Sequence, residues 1–494
     1  MKTRARTPED LALAKRNIAK QHRTSCPNNM VLLQTYHELL KNKRIKADHN
    51  IELLLRTRPV RSLSGIVNVA VLTKPYPCPG KCLFCPNEKG IPKSYLSGEP
   101  AVERAKSLKY DPFNQVKQRL EMLKAEGHPT DKIELRIIGG TWSYYPRAYR
   151  NQFIKRCFEA CLKNRTKTLE QAQKLNEKSE QRIIGISIET RPDFINEREI
   201  KHLRELGITM VELGIQSIYD SILKLNRRGH GIKEIITATR LLKDAGFKVL
   251  YQMMLNLPGS SIKKDREMFK ELFSNQDFQP DLLKIYPCAL LKQAPLYNYW
   301  KKGNYKPYTT EQLKSLIESI KEIIPPYVRI QRITRDIPSN LIVEGSSKTS
   351  NLRQLINNDF KKCRCIRCRE IKENYSPKEP LRLLKKTYPA SNGKEIFLSF
   401  ENKNKLYSLL RLRIASEKKA IIRELHTYGQ MVPIGKSKNA AQHKGLGKKL
   451  MEEAEKIVKS MKIKKISVIS GVGARDYYRK LGYRLENTYM VKNL

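Results

Sequence analysis

Short apolar segments alternate with amphipathic segments from about residue 66 to residue 345, and this alternation constrains the fold more than any other feature. The predicted strands are Val67–Thr73, Ile133–Gly139, Ile183–Glu189, Met210–Gln216, Lys248–Leu255 and Leu282–Tyr286. The predicted helices between them include Pro112–Glu126, Tyr149–Leu162, Glu197–Leu206 and Ile232–Ala245. Such alternation predicts an α/β fold with a parallel sheet, and six units fit a partial barrel at least as well as an open sheet. In a barrel, the chemistry lies at the carboxyl ends of the strands.

The chain of 494 residues is too long for one ordinary core, so we expect several domains. We divide it into a basic helical region (1–65), the partial barrel (66–345), a cysteine-containing linker (346–385) and a second α/β domain (386–494). The last domain begins with predicted strands near Ile396–Phe400, Ser408–Ile414 and Ala420–His426.

The charge balance is strongly positive, with 96 Lys and Arg against 49 Asp and Glu and a net charge of +47. Such a field attracts polyanions, of which nucleic acid is the most common in a cell. The alternatives are a solubility strategy or a lysine-rich proteome. The excess is concentrated in residues 1–62, which hold 14 basic and 5 acidic residues, and this favours nucleic acid. We predict that Lys41, Lys43, Arg44 and Lys46 contact it.

Neither a bilayer-spanning apolar segment nor a signal peptide is apparent, so we expect no membrane attachment. The ten cysteines are clustered, which favours metal binding in a reducing cytoplasm over disulfide bonds.

The first cysteine cluster, Cys78-x₃-Cys82-x₂-Cys85, directly follows the first predicted strand. Three thiolates at this spacing can bind three irons of a [4Fe–4S] cluster and leave the fourth iron open. The alternative is a zinc site that lacks one ligand, but zinc sites more often use Cys-x₂-Cys pairs. The position after a barrel strand favours the iron–sulfur cluster.

The second cluster is Cys363-x-Cys365-x₂-Cys368, between the two α/β domains. Soft ligands so closely spaced favour a structural zinc ion, and Cys288 is our candidate for the fourth ligand. The alternatives are a second redox cluster at this position and, for Cys288, a buried apolar cysteine.

A glycine turn near the C-terminus contains Gln442, Gly445 and Gly447 and precedes a helix with one apolar face. Glycines at a helix N-terminus allow backbone N–H groups to approach a phosphate closely, and the helix dipole favours the negative charge. This pattern predicts a phosphate-containing ligand at the turn.

The first cluster, with an aromatic residue just before its last cysteine, resembles the radical S-adenosylmethionine superfamily, in which the open iron binds S-adenosylmethionine. The resemblance implies that Gly139, Gly140 and Thr141 contact this cofactor after the second strand, and that Glu189 and Gln216 contact it from two further strand ends. Glu189 and Gln216 have a structural alternative as barrel-lining residues with satisfied hydrogen bonds.

The glycine turn, with Asp476-Tyr-Tyr-Arg-Lys-Leu-Gly-Tyr483, is similar to GNAT acetyltransferases, in which the turn holds the pyrophosphate of acetyl-CoA. This resemblance implies that Tyr478 lies near the thioester sulfur. The alternative for Tyr477 and Tyr478 is aromatic core packing.

In this order the two modules resemble the catalytic subunit of Elongator, a tRNA wobble-uridine-modifying enzyme, in its free-standing prokaryotic form. The most specific stretches are Cys85–Asn87, Arg182–Asp193, Arg335–Pro338, Arg423–Gly429 and Ile469–Gly473. The resemblance implies catalytic roles for Tyr478 and Lys132, although Lys132 could instead be a solvated turn lysine. It also implies acetyl-CoA contacts at Lys132, Glu424, Leu425, His426, Thr427, Gln442, Gly445, Leu446, Gly447, Lys448 and Tyr478.

The implied reaction joins the acetyl methyl carbon of acetyl-CoA to C5 of the wobble uridine by radical chemistry and, after thioester hydrolysis, leaves a carboxymethyl group. The expected partners are the tRNA anticodon arm, acetyl-CoA and an electron donor, and we also consider a homodimer. The rival interpretations are a protein lysine acetyltransferase with a structural cluster, a non-catalytic RNA-binding scaffold and a tRNA methylthiotransferase. The last would carry a different appended domain and further cluster cysteines upstream.

Overall fold

The computed structural model describes residues 5–345, 352, 356, 362–373, 375–415, 419–432, 434, 440–442 and 444–494. Two seven-stranded sheets dominate this part of the chain. The helices are α1 (Pro8–Gln21), α2 (Asn29–Lys41), α3 (His49–Leu55), α4 (Pro100–Ser107), α5 (Pro112–Ala125), α6 (Arg147–Glu159), α7 (Leu169–Asn176), α8 (Glu197–Glu205), α9 (Asp220–Leu225), α10 (Ile232–Asp244), α11 (Ile262–Ser274), α12 (Leu296–Lys301), α13 (Thr310–Ile323), α14 (Ile366–Arg369), α15 (Leu446–Ser460) and α16 (Arg475–Arg479).

The basic N-terminal region folds into α1, α2 and α3, each with a polar residue accepting a hydrogen bond at its N-cap: Thr7, Asn28 and Asp48. The helices share a small apolar core of Leu11, Leu33, Tyr36 and Leu55. Arg56 Nε connects them to the barrel by donating to the Gly127 carbonyl at 3.0 Å. The predicted helical N-terminal region is thus present as a distinct layer.

The first sheet is parallel and runs in chain order from β1 to β7. Its strands are β1 (Val67–Leu72), β2 (Lys132–Ile138), β3 (Arg182–Thr190), β4 (Met210–Gln216), β5 (Lys248–Leu255), β6 (Leu282–Pro287) and β7 (Arg329–Ile333). The apolar residues of β1 to β6 are buried against the helices, as their periodicity predicts. The partial-barrel prediction is confirmed, and β7 extends the six predicted strands. This strand was not predicted, because the two arginines in its Arg-Ile-Gln-Arg-Ile sequence interrupt the apolar pattern that identified the other strands.

The second sheet is mixed, with the order β13-β14-β12-β11-β10-β9-β8. Its strands are β8 (Arg382–Ala390), β9 (Gly393–Asn402), β10 (Lys405–Ile414), β11 (Ala420–Thr427), β12 (Lys465–Val468), β13 (Arg484–Glu486) and β14 (Tyr489–Asn493). Helix α15 packs on this sheet through Leu450, Met451, Ala454 and Val458. The three predicted strands of this domain are confirmed as β9, β10 and β11. Much of the first half of the predicted linker, including 346–351 and 357–361, lies outside the described residues.

Buried ion pairs join the two sheets. Arg423 on β11 donates to Asp281, just before β6, at 2.8 Å, and to Glu395 on β9 at 2.9 Å. Arg413 on β10 donates to Asp244 at the end of α10 at 2.6 Å. Because these barrel residues lie at the amino ends of β5 and β6, the second sheet covers that end of the barrel and leaves the carboxyl ends free.

Gly471 marks a second contact between the two sheets. A Cβ on this residue would lie 2.0 Å from the Ile184 carbonyl oxygen on β3. Only glycine fits so close an approach, which explains physically why the Ile469–Gly473 segment is glycine-rich. Within the described part of the chain, no helix is both long and apolar enough to cross a membrane.

Candidate active site

A cavity of about 170 Å³ opens at the carboxyl ends of the parallel strands. Parallel strands present these ends at one edge, so loops that are distant in sequence converge there. The cavity collects all three cysteines of the first cluster and four of the five residues predicted to contact S-adenosylmethionine. Its lining includes Cys78, Cys82, Cys85, Gly140, Thr141, Glu189, Arg191, Gln216, Arg228 and Gln252.

Polar groups contact the cysteine sulfurs of the first cluster. Arg228 Nη1 donates to Cys82 Sγ at 3.0 Å, and Thr141 Oγ1 lies 3.6 Å from Cys78 Sγ. Burial raises the pKa of the Cys85 thiol to about 12, so a bound cationic centre is needed to hold it as a thiolate at neutral pH. All three cysteines line the same cavity, which suits a cluster in which each thiolate binds a different iron.

The glycine turn after β2 shapes one wall of the cavity. Gly139 and Gly140 have φ angles of 122° and 72°, in the region that favours glycine. A Cβ on Gly139 would lie 2.2 Å from Thr73 Oγ1, which itself donates to the Gly139 carbonyl at 3.0 Å. The missing side chain therefore allows the ends of β1 and β2 to approach closely. Gly139 shapes this turn, while Gly140 and Thr141 line the cavity.

Glu189 is held in a buried polar network on the concave face of the barrel. One oxygen accepts from the Tyr95 hydroxyl at 2.9 Å, and the other accepts from Gln252 at 3.0 Å and Lys284 at 3.1 Å. Burial favours the neutral acid, but the Lys284 ammonium outweighs it and lowers the pKa of Glu189 below its usual value. Glu189 thus both lines the cavity and has satisfied hydrogen bonds.

Three buried polar atoms among the cavity-lining residues have no hydrogen-bond partner among the described residues: Gln216 Oε1, Arg191 Nη1 and Arg228 Nε. An unpaired buried polar group costs about 1–3 kcal/mol, so these atoms favour a polar ligand. Asp193 fixes the rest of the Arg191 guanidinium with two hydrogen bonds of 2.9 and 2.8 Å. Together with the glycine turn, these groups fit a compact ligand with charged and hydroxyl groups, such as S-adenosylmethionine.

The second cysteine cluster also forms a compact group. The Sγ atoms of Cys363, Cys365 and Cys368 lie within 4.8 Å of one another, beside α14. Hydrogen bonds from the Cys363 and Cys368 thiols hold the pKa of Cys365 well below its usual value. Two sulfurs bound to one tetrahedral zinc ion are about 3.8 Å apart, given Zn–S bonds of about 2.3 Å. The spacing therefore fits a single ion better than a cubane cluster.

The structure does not bring Cys288 to this group. Cys288 is buried in a different apolar cluster with Leu83, Leu290 and Leu296, and its thiol hydrogen-bonds to Tyr305. This environment matches the alternative of a buried apolar cysteine, so the fourth ligand of the proposed zinc site does not come from Cys288.

Strands β11 and β12 diverge beside the predicted acetyl-CoA contacts. Their pairing runs from Ala420 to Ile422, so within the described residues Glu424 to Thr427 pair with β10 but with no strand on the β12 side. One opening lies between the free edge next to Leu425 and the N-terminus of α15. The first residues of this helix are Leu446, Gly447 and Lys448. An edge of unpaired backbone groups beside a helix N-terminus suits an extended ligand that ends in phosphates.

The side chains on the other face of β11 contact the barrel instead. Glu424 accepts from Arg411 at 2.7 Å and lies 3.5 Å from Lys248, and these cations lower the pKa of Glu424 to about 2 against the effect of burial. His426 Nε2 lies 2.7 Å from the Ser64 carbonyl, so this nitrogen carries the proton. The Thr427 hydroxyl instead contacts its own sheet, because its Oγ1 lies 2.9 Å from Ser408 Oγ on the neighbouring strand β10. Of the four predicted contacts, Leu425 faces the opening.

Lys132 and Gln442 meet between the two domains. Lys132 Nζ donates to the Val432 carbonyl at 2.7 Å and to Gln442 Oε1 at 2.9 Å. Gln442 Nε2 in turn donates to the carbonyls of Gly65 and Thr427 at 3.0 and 3.1 Å. Lys132 is therefore a partly buried interdomain residue at the start of β2 rather than a solvated turn lysine.

The two adjacent tyrosines near the C-terminus lie in different environments. Tyr478 is 7% exposed and packs in the core of the second sheet, with Tyr483 at 6.1 Å between ring centroids. Tyr477 is 39% exposed, and its hydroxyl would lie 3.0 Å from a Cβ placed on Gly447. Tyr477 thus lies at the glycine turn, and Tyr478 shows the core packing that we considered as its alternative.

Comparisons with known proteins agree with both halves of the structure. The radical SAM superfamily matches residues 76–272, its C-terminal domain matches 280–362, and the acetyltransferase (GNAT) domain matches 437–493. The chain is 46% identical over 470 residues to the tRNA uridine(34) acetyltransferase of Methanocaldococcus infernus, covering 89% of this chain and 88% of the relative. It is 40% identical over 472 residues to Elongator complex protein 3 of Homo sapiens, covering 89% and 86%. The chain belongs to this family.

A solved family structure also matches the fold. The archaeal Methanocaldococcus infernus Elp3 with an N-terminus deletion (1–46) aligns with a TM-score of 0.77 and 42% identity, over 88% of this chain and all of that one. The family therefore accounts for the order of the barrel and the acetyltransferase sheet. The Elongator resemblance and the fold class predicted from the sequence are confirmed.

Several charged residues of this family member were missed by sequence reasoning. Lys284 lies on β6 and forms an ion pair with Glu212 on β4, and Arg228 follows α9 and reaches Cys82. The sequence could have indicated Lys284, because a lysine inside an otherwise apolar strand needs a buried partner of opposite charge. For Arg228, in Asn-Arg-Arg-Gly, no sequence pattern beyond its charge indicated a role.

Proposed function

We propose that this protein places a carboxymethyl group on C5 of the wobble uridine of tRNA, using S-adenosylmethionine and acetyl-CoA. The observation that carries the proposal is the single cavity that holds Cys78, Cys82 and Cys85 with the predicted cofactor contacts. The acetyltransferase sheet is locked to the same barrel by buried ion pairs. The relatives named tRNA uridine(34) acetyltransferase support tRNA as the substrate.

In this proposal the three cysteines hold a [4Fe–4S] cluster, and Gly140, Thr141, Glu189 and Gln216 surround S-adenosylmethionine. When bound, the cluster supplies the electron that cleaves S-adenosylmethionine to a 5′-deoxyadenosyl radical. Arg228 positions the Cys82 sulfur through its 3.0 Å hydrogen bond. Gln216 Oε1 and Arg191 Nη1 are unpaired among the described residues and offer the cofactor two hydrogen-bonding atoms.

The sites for the two co-substrates lie at opposite ends of β2. Lys132 begins the strand and Gly139 follows it, so seven residues, or about 23 Å, separate them. The concave face of the barrel lies between them and carries polar groups along its length, because Lys248 on β5 lies 3.8 Å from Glu134 on β2 and Lys284 reaches Glu189. We propose that the acetyl group and the radical meet along this face.

We propose that Cys363, Cys365 and Cys368 bind a structural zinc ion. The group lies beside β7, since Ile366 N donates to the Val328 carbonyl at 2.9 Å, and Arg369 connects it to Glu401 of the acetyltransferase sheet. A metal here would brace the junction between the two domains. A solvent molecule as fourth ligand would complete the usual tetrahedral site.

The remaining partners follow from the reaction. Formation of the radical requires an external electron donor, whereas no step requires a homodimer. All ten cysteines are free, which is consistent with the reducing cytoplasm where we place the enzyme.

A reconstitution assay tests the proposed function. Anaerobically reconstituted protein is incubated with tRNA, acetyl-CoA and S-adenosylmethionine, and nucleosides are analysed by mass spectrometry. We expect 5-carboxymethyluridine and 5′-deoxyadenosine to form together. Peptide acetylation that needs no S-adenosylmethionine, without any modified uridine, would instead establish the rival protein lysine acetyltransferase.

Acetyl-CoA affinity should fall as the pH rises through the pKa of Lys132. Burial lowers this pKa to about 8, although Asp131 opposes the shift. Deprotonation removes the positive charge that attracts the phosphates, and we expect affinity to fall about tenfold between about pH 7 and pH 9. Calorimetric titration at several pH values measures this. Lys132→Arg should stay charged and show no such midpoint, and a flat wild-type profile would contradict the assignment.

The basic turn after α2 should contribute to the salt dependence of tRNA binding. Lys41, Lys43, Arg44 and Lys46 are all exposed, and no ion pair of theirs is found among the described residues. Each phosphate contact that is lost should lower the slope of log affinity against log salt by about 0.7–0.9. Replacing all four with glutamine should therefore reduce the slope by about 3. An unchanged slope would mean that tRNA does not contact this turn.

A further inference from the structure

We propose that an aromatic array beside the cavity stacks on unpaired bases of the anticodon loop; this inference rests on the proposed function. The array consists of Phe194, Tyr144, Tyr76, Tyr145 and Tyr149. The ring centroids of successive members are 5.8, 5.9, 4.8 and 5.1 Å apart, and the Tyr76–Tyr145 and Tyr145–Tyr149 pairs are stacked. The Tyr76–Tyr144 pair is tilted and the Tyr144–Phe194 pair is edge-to-face, so the five rings form one continuous aromatic row.

At the inner end of the row, Tyr145 and Tyr149 are held in place by hydrogen bonds. Towards the outer end, Tyr144 is exposed to solvent. The Tyr145 hydroxyl donates to the Lys74 carbonyl at 2.8 Å and lies 2.8 Å from Thr73 Oγ1, while the Tyr149 hydroxyl accepts from the Lys74 N–H at 3.2 Å. By contrast, Tyr144 is 40% exposed and its hydroxyl has no hydrogen bond within the described part of the chain. Aromatic packing alone would bury this outer ring. A platform on which nucleotide bases stack requires an exposed aromatic ring that is supported by rigidly held neighbours.

The array borders the cavity without lining it. Tyr76 lies two residues before Cys78, and Tyr144 ends the turn that starts after the cavity-lining Thr141. Thr190 at the end of β3 anchors the same turn by donating to Ser143 Oγ at 2.9 Å. A base stacked on Tyr144 would therefore lie beside the mouth through which the wobble uridine must enter.

Cations accompany the aromatic rings. Lys74 Nζ lies 4.9 Å from the Tyr149 ring centroid, and Lys81 is exposed on the neighbouring cysteine loop. Arg147 is exposed and pairs with Glu205 at 2.8 Å. Asp193, the acidic residue beside Phe194, is neutralised by Arg191. Aromatic faces interleaved with cations match single-stranded RNA, since every base offers a π-face and every nucleotide carries a phosphate.

The test uses substitutions at Tyr144 and an anticodon stem–loop that carries 2-aminopurine next to the wobble uridine. Tyr144→Leu removes the aromatic face but keeps an apolar side chain, and Tyr144→Trp is the matched control that keeps the face. We expect Tyr144→Leu to weaken binding about 5- to 150-fold, the range for loss of one base stack. It should also abolish the quenching of 2-aminopurine fluorescence on binding. Tyr144→Trp should preserve both.

The salt slope and cofactor binding separate stacking from other effects. Because tyrosine is uncharged, Tyr144→Leu should leave the salt slope unchanged, whereas Lys81→Gln should lower it by about 0.7–0.9. S-Adenosylmethionine binding should be unaffected, since Tyr144 does not line the cavity. Wild-type affinity and quenching in Tyr144→Leu would overturn the stacking inference and leave the proposed function intact. If the wild-type protein modifies no uridine in tRNA, the proposed function itself fails.

Discussion

Replacing Cys82 with serine is expected to abolish both 5′-deoxyadenosine and modified uridine in the reconstituted assay. Cys82 is the most enclosed of the three first-cluster thiols, and Arg228 donates to its sulfur. A serine hydroxyl is a hard, weakly acidic ligand that poorly replaces a thiolate on iron. We therefore expect activity to fall to background, together with the visible absorbance and the iron content of the reconstituted protein.

Two further variants make this experiment specific. Cys26→Ser changes an exposed free cysteine in the N-terminal region and should leave iron content and product unchanged. Arg228→Leu keeps all three ligands but removes the hydrogen bond to Cys82, and a loss of about 10- to 100-fold in cluster affinity or activity is expected. Product formation by Cys82→Ser at the wild-type rate would refute the radical mechanism.

Replacing Arg423 with methionine is expected to be the most destabilising single change at the interface between the two sheets. Arg423 is completely buried and pairs with Asp281 and Glu395, which are also buried. Removing one partner of a buried ion pair typically costs about 3–5 kcal/mol, because the other charge loses its compensation. Lys243 and Arg411 remain 3.7 and 3.6 Å from Asp281, so we expect a loss near 3 kcal/mol in the free energy of unfolding.

Thermal unfolding with the matched variant Arg484→Met measures this effect. Arg484 also pairs with a glutamate, but its side chain is 71% exposed, so its loss should change the free energy by less than about 0.5 kcal/mol. Arg423→Met should lower the melting temperature by about 3 °C or more. Equal melting temperatures for the two variants would show that the buried network does not hold the sheets together.

The residues of the radical site could be predicted because strand order alone brings them together. Cys78, Gly140, Glu189 and Gln216 each follow or end a strand of a regular strand–helix alternation. In a parallel sheet all such positions lie at one edge, whatever their separation along the chain. The cavity therefore matches the residues that local pattern and motif selected.

The acetyl-CoA contacts were predicted less completely than the residues of the radical site, because the two faces of β11 contact different domains. Leu425 faces the opening beside α15, but Glu424 and His426 contact the barrel, and Gln442 bonds to residues of both domains. Tyr477 and Tyr478 are adjacent, so the helix geometry of α16 decides which ring meets Gly447 and which packs in the core. The pairing of Lys132 with Gln442 joins residues 310 positions apart, which no local pattern can indicate.

The sequence by itself determined the alternation of strands and helices, the two cysteine clusters and the glycine turn. These depend on side-chain periodicity and on ligand spacing within a few residues. Only the tertiary structure decided that Cys288 lies away from the second cluster and that buried ion pairs close the amino end of the barrel. It also decided that an aromatic row borders the open carboxyl end. These features depend on which side chains, distant in sequence, share a buried space. Packing and charge compensation across the whole fold determine which side chains come together.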